Sequence, residues 1–206
     1  MEKASRNRMN DVLLGKMWKT KSSRFNADLR LRRKHALSLS ATTILAFYIF
    51  AVSLLPLTYT PSSSGGAEKL ISIITLLISV FLIIIILLES TKNYQKEADR
   101  MLRCALEISD IYNRFQALTP EAADQKRVAF NDEYGAALQK HELNHKDIDY
   151  LQFQLRSASE LGIGWGRYAT DCGKYLYFWL GEYWLYIALI IAPPLAAFVY
   201  QKHLGF

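Results

Sequence analysis

The chain is poor in the residues that staple or catalyse. Its 206 residues include only two cysteines, five prolines and four histidines. Cys104 and Cys172 lie far apart and form no C-x-x-C pair, which excludes a disulfide framework and predicts two free thiols. There is no G-x-S-x-G elbow, no G-K-[ST] phosphate loop and no cluster of catalytic carboxylates, so no enzyme and no cofactor is expected. Charge is missing over long stretches: residues 36–67, 70–88 and 183–201 contain no Asp, Glu, Lys or Arg. The near-neutral mean hydropathy of +0.04 averages over this segregation. A soluble core does not need apolar runs of this length, whereas a bilayer does.

The first run begins at Leu37. The second, Leu70–Leu88, is nineteen residues long. At about 1.5 Å per residue it covers roughly 28 Å, close to the hydrocarbon thickness. The basic leader is too long for a signal-peptide n-region, so the first run reads as an uncleaved anchor. Pro56 and the stretch from Thr60 to Gly66 carry turn chemistry, and a connection this short makes the two helices an antiparallel hairpin. Residues 1–35 hold eleven Lys/Arg against three acids. The positive-inside rule places this leader, and everything after Leu88, in the cytoplasm, with Ser62–Gly66 outside. Arg30, Arg32, Arg33 and Lys34 are expected to contact anionic lipid rather than nucleic acid.

Residues 89–174 carry fourteen acids and twelve bases. Tyr94, Ala98, Met101, Ala105, Ile108, Tyr112 and Phe115 alternate spacings of four and three, a seam for helix packing or assembly on a helix that continues the second span. A second helix is expected from Pro120 to about Lys140, capped by Thr119, and a third capped by Asp147. The core offered by three short helices is thin, which favours a homo-oligomer. Gly162-Ile163-Gly164-Trp165-Gly166 reads as a hinge, and the aromatics from Tyr175 to Tyr186 as a headgroup-level belt. Residues 183–200 then form a third, kinked span, with a re-entrant helix as the alternative. The expected fold is an all-α membrane protein divided into leader 1–35, hairpin 36–88, cytoplasmic helical region 89–174 and aromatic-rich membrane segment 175–206.

Two groups of residues carry functional readings. Ser38, Thr42, Ala46 and Ser53 on the first span, and Ser72, Thr75 and Ser79 on the second, place small and hydroxylated side chains at helical spacing. Such faces serve helix packing or line water. His141-Glu142-Leu143-Asn144-His145 matches H-E-x-x-H, the zinc-protease pattern. Its charged flanks, Lys140 and Lys146, and the lack of a third ligand argue against a metal, leaving a helix C-terminus and loop as the reading.

Several segments together resemble a known family. They are Trp18, Arg24-Phe25-Asn26-Ala27-Asp28-Leu29-Arg30-Leu31, Ser38-Leu39-Ser40, Glu89-Ser90, the run from Ala98 to Ile108, and Tyr112. They are similar to the SLATT family, the two-transmembrane effector domains of bacterial conflict systems built on nucleotide second messengers or retron-type reverse transcriptases. The resemblance covers residues 15–160, and the third span departs from the two-helix plan. It implies a bacterial inner-membrane effector that perforates or depolarises the membrane. The trigger would be a sensor encoded nearby, a reverse transcriptase or a nucleotidyltransferase. A membrane-anchored adaptor without pore activity is the alternative, and a zinc protease a remote one.

Overall fold

The computed structural model describes residues 2–58, 65–142 and 144–203. They form six helices and no strand: α1 (Glu2–Thr58), α2 (Gly65–Ser90), α3 (Tyr94–Gln116), α4 (Pro120–His141), α5 (Asp147–Arg156) and α6 (Trp165–His203). The expected turn at Ser62, Ser63 and Ser64 lies outside the described residues, whereas Gly65 and Gly66 already belong to α2. α1, α2 and α6 are long and apolar enough to cross a membrane, and their most apolar stretches reach mean hydropathies of 1.2, 2.9 and 1.3. The protein is an all-α membrane protein.

The chain divides into two units. The first combines Met1–Arg33 with Tyr94–Leu180, and the second combines Lys34–Asn93 with Gly181–Phe206.

The first unit is built on the leader. The charged N-terminal segment is not an unstructured arm: it is the first half of α1, and it supplies Leu13 and Met17 to a core with Cys104, Ile108, Ile111 and Phe115 of α3 and Ala123 and Ala137 of α4. Burying each large apolar side chain here contributes about 1.5–3 kcal/mol. Phe115 meets the Phe130 ring at 5.2 Å, and the Thr20 and Tyr134 hydroxyls share a 2.8 Å hydrogen bond. Further along, Ala27 and Ala98 are both fully buried beside Leu31 and Met101. Small side chains at that crossing let two helices approach closely. Trp18 stands edge-on to Phe153 of α5, with centroids 4.7 Å apart.

Three sequence expectations are corrected here. α3 does not continue α2: residues 91–93 form a turn, with Asn93 at φ 47°. Asn tolerates this left-handed conformation better than most residues, and its side chain donates to the Thr91 carbonyl. The helices that run unbroken past the ends of the apolar runs are α1 and α6. The N-cap of α5 is Lys146 rather than Asp147, because Asp149 Oδ2 accepts the Lys146 backbone N–H at 3.0 Å. Finally, two of the four juxtamembrane bases are enclosed within the chain rather than left for lipid: Arg30 pairs with Asp149 and Lys34 with Glu182. Arg32 pairs with Asp28 and Asp99 but stays exposed, as does Arg33. At the start of α4 the cap matches its sequence: Thr119 Oγ1 accepts from Ala122 N, with Pro120 in the first turn.

Candidate functional site

The second unit contains the three apolar helical segments, and a cluster of polar groups lies at one end of them. Glu89 closes α2 after nineteen uncharged residues. An unpaired carboxylate beside an apolar span is costly, and here it is fully engaged. Ser38 Oγ of α1 and Tyr186 Oη of α6 each donate to Glu89 Oε2 at 2.8 Å, and Lys92 pairs with Oε1. One step away, Lys34 of α1 pairs with Glu182 of α6, both side chains largely buried. Around this cluster Ala41, Leu45, Leu82, Tyr183 and Tyr186 are buried. Ser38 and Lys34 lie at the start of the first apolar run, Glu89 at the end of the second, and Glu182 at the start of the third. Bringing them together requires α1 and α6 to run the same way and α2 the opposite way, as in an antiparallel hairpin joined by a third helix.

Above the cluster the predicted hydroxyl faces divide. Ser38 is buried on Glu89, and Thr42 donates to the Ser38 and Leu39 carbonyls. Ser53 is exposed and donates to Phe50 O. On α2, Ser72 is exposed, whereas Thr75 and Ser79 are half-buried and Ser79 donates to Thr75 O. Thr75, Ser79, Leu82 and Glu89 follow helical spacing, so the two hydroxyls lie on the face that α2 turns toward its own chain. The rest of α2 is open. Thirteen large apolar side chains from Leu70 to Leu88 are 41–65% exposed, and Leu82 is the one buried side chain among those described.

In the first unit, the seam residues Ala98, Met101, Ala105, Ile108 and Phe115 are buried, and Tyr94 and Tyr112 are half-buried against the same cores. The stripe is spent on packing within one chain. The H-E-x-x-H stretch does not form a helical face. α4 ends at His141, Glu142 is its left-handed C-cap at φ 49°, Leu143 lies outside the described residues, and His145 falls in the connection to α5. His141 Nε2 is 2.8 Å from Glu107 Oε2 and its carbonyl accepts from Arg100. The hydrogen bond from His141 holds the Glu107 carboxyl below its usual range. Among the described residues no group of three or more His, Cys, Asp or Glu is placed to hold a metal ion.

Sequence reasoning missed the buried ionic seam of the first unit. Arg30 Nε and Nη2 fork onto Asp149 Oδ1 and Oδ2 at 2.8 and 3.0 Å, with the two side chains 7% and 1% exposed. Asn26 donates to the Asp149 carbonyl and accepts from Arg156. A base in a basic leader gives no sign of a partner 119 residues away. Some of the segments that carry the family resemblance do meet one another: Ala27 and Leu31 pack on Ala98 and Met101 in the first unit, and Ser38 bonds Glu89 in the second. No curated protein and no solved structure matches the chain. A family model described as the SMODS and SLOG-associating 2TM effector domain family 5 matches residues 7–200, and with nearly its whole length covered the chain belongs to that family.

Proposed function

We propose that this membrane effector assembles from several copies and depolarises the bacterial inner membrane when a sensor protein of its conflict system is triggered. The observation that supports this reading is the open surface of α2. A helix that is apolar around most of its circumference and packs along one narrow face has room for lipid in the resting chain and for further helices in an assembly. Three helices among the described residues are long and apolar enough to span, and three helices from one chain are too few to enclose a water path, so conduction needs several copies. No residue of the apolar runs is charged, so any path is lined by hydroxyls and backbone, or opens between helices, rather than by a ring of ionised groups. The polar cluster of Glu89, Ser38, Tyr186, Lys34 and Glu182 then acts as the tie that holds the three helices at one end. α1 and α6 each contribute residues to both units, whereas α2 is separated from α3 by the turn at Asn93.

The N-terminus and the first unit face the cytoplasm in this reading, because the basic residues stand on one side of the first span. The chain has no enzymatic role. The test is membrane potential, read with a voltage-sensitive dye in cells producing the protein with its genomic neighbours and then challenged by phage. A collapse of potential before lysis is the expected result. Growth arrest at steady potential would replace the pore with an anchored adaptor. Replacing Thr75 and Ser79 together with Leu should disturb helix packing within the chain rather than conductance alone, since both lie on the face that α2 turns toward its own chain.

A further inference from the structure

Arg24 is 4% exposed in the first unit, and its Nε and Nη1 meet no acceptor among the described residues. A guanidinium stays protonated throughout the range in which proteins fold, so it cannot shed its charge to lower the cost of burial. The buried carboxylates of the unit are engaged elsewhere. Asp149 takes Arg30 on both oxygens and the Lys146 N–H on one of them, Asp28 takes Arg32, and Asp171 lies 3.6 Å from Arg167 and 3.8 Å from Lys174. Arg30, six residues along α1, shows what a satisfied guanidinium looks like in this interior. Arg24 lacks that arrangement.

A second orphan lies just before α5. His145 Nδ1 is buried and has no partner among the described residues. α1 meets this end of α5 two residues beyond Arg24, where Asn26 donates to the Asp149 carbonyl, and the Asp149 carboxylate accepts the backbone N–H of Lys146, the neighbour of His145. Ordered water meets hydrogen-bond needs but leaves the charge uncompensated. An anion meets both. Several donors, one of them a planar fork, match an acceptor with several oxygens better than a spherical halide.

We propose that Arg24 and His145 bind a phosphate-type oxyanion between α1 and the connection from α4 to α5. This gives the H-E-x-x-H stretch a role in anion rather than metal binding, and it does not depend on pore activity. The source is either a soluble phosphate or phosphate ester, or a lipid headgroup. The full chain in a neutral detergent is titrated with sodium phosphate against gluconate at constant ionic strength, and its thermal unfolding midpoint is followed. A second arm replaces phosphate with micelles containing phosphatidylglycerol. The midpoint should rise and saturate in at least one arm, and Arg24→Gln and His145→Asn should each flatten the rise. A response to phosphate assigns a soluble ligand, and a response to the doped micelles alone assigns a headgroup. Silence in both arms, or an equal rise in Arg24→Gln, overturns the proposal. Should Arg24→Gln fail to fold, His145→Asn supplies the comparison, and phosphate retained by wild type after desalting supplies a direct measurement; none retained, with a flat midpoint, overturns it as well.

Discussion

Replacing Asp149 with Leu tests whether the buried seam holds the leader onto the helical unit. The side chain is 1% exposed and accepts both arms of the Arg30 fork and the Lys146 backbone N–H. Removing one partner of a buried pair leaves the other uncompensated, at about 3–5 kcal/mol. Losing the cap of α5 adds about 1 kcal/mol. At about 2–4 °C per kcal/mol for a chain of this size, the melting midpoint should fall by roughly 10–20 °C. Trp18 packs edge-on to Phe153 of α5, so tryptophan emission during a thermal ramp of the detergent-solubilised chain reports this packing. The pairing logic makes a sharper demand on the double variant. Arg30→Met with Asp149→Leu leaves no orphan charge and should recover all but about 1–2 kcal/mol of the loss. A single variant costing less than about 1 kcal/mol, or a double variant melting no higher than the single, would refute the account of a charge pair sealed inside the unit.

Ala105 is fully buried, so Ala105→Glu should cost several kcal/mol and show as lost folded protein on gel filtration. Burial holds the His145 pKa below its usual value, and the unfolded chain therefore binds the extra proton first. In gluconate buffer the corresponding stability is complete above about pH 6.5 and declines as the pH falls toward the lower folded-state value, a slope that His145→Asn should remove in pH-dependent melts. Glu142→Gln should leave effector activity and protein level unchanged; abolished toxicity at normal assembly would revive a hydrolytic role. A cysteine placed at Ser63 should label from outside intact spheroplasts, and labelling that requires permeabilisation would reverse the orientation.

How far the sequence reached depended on the range of the interaction concerned. Hydropathy is written residue by residue, so the three apolar segments and the all-helical class were legible from the charge-free runs alone. The cap at Thr119-Pro120 and the seam from Tyr94 to Phe115 were legible too, because capping and helical periodicity act over a turn or two. The break at Asn93 was not, since a polar residue between two helical patterns reads equally as a continuing helix until the left-handed backbone is seen. Nor was the fate of the leader. Lys34, Arg30 and Arg24 are near neighbours in a basic run, yet the structure gives the first Glu182, the second Asp149, and the third no counter-charge among the described residues. Charge pairing inside a fold depends on which helices come together, and those partners are more than a hundred residues away in sequence. The sequence by itself determined that this chain enters a membrane and folds as helices. Only the tertiary structure decided which of its charges are neutralised, which face of α2 is spent inside the chain, and which guanidinium is left in want of an anion.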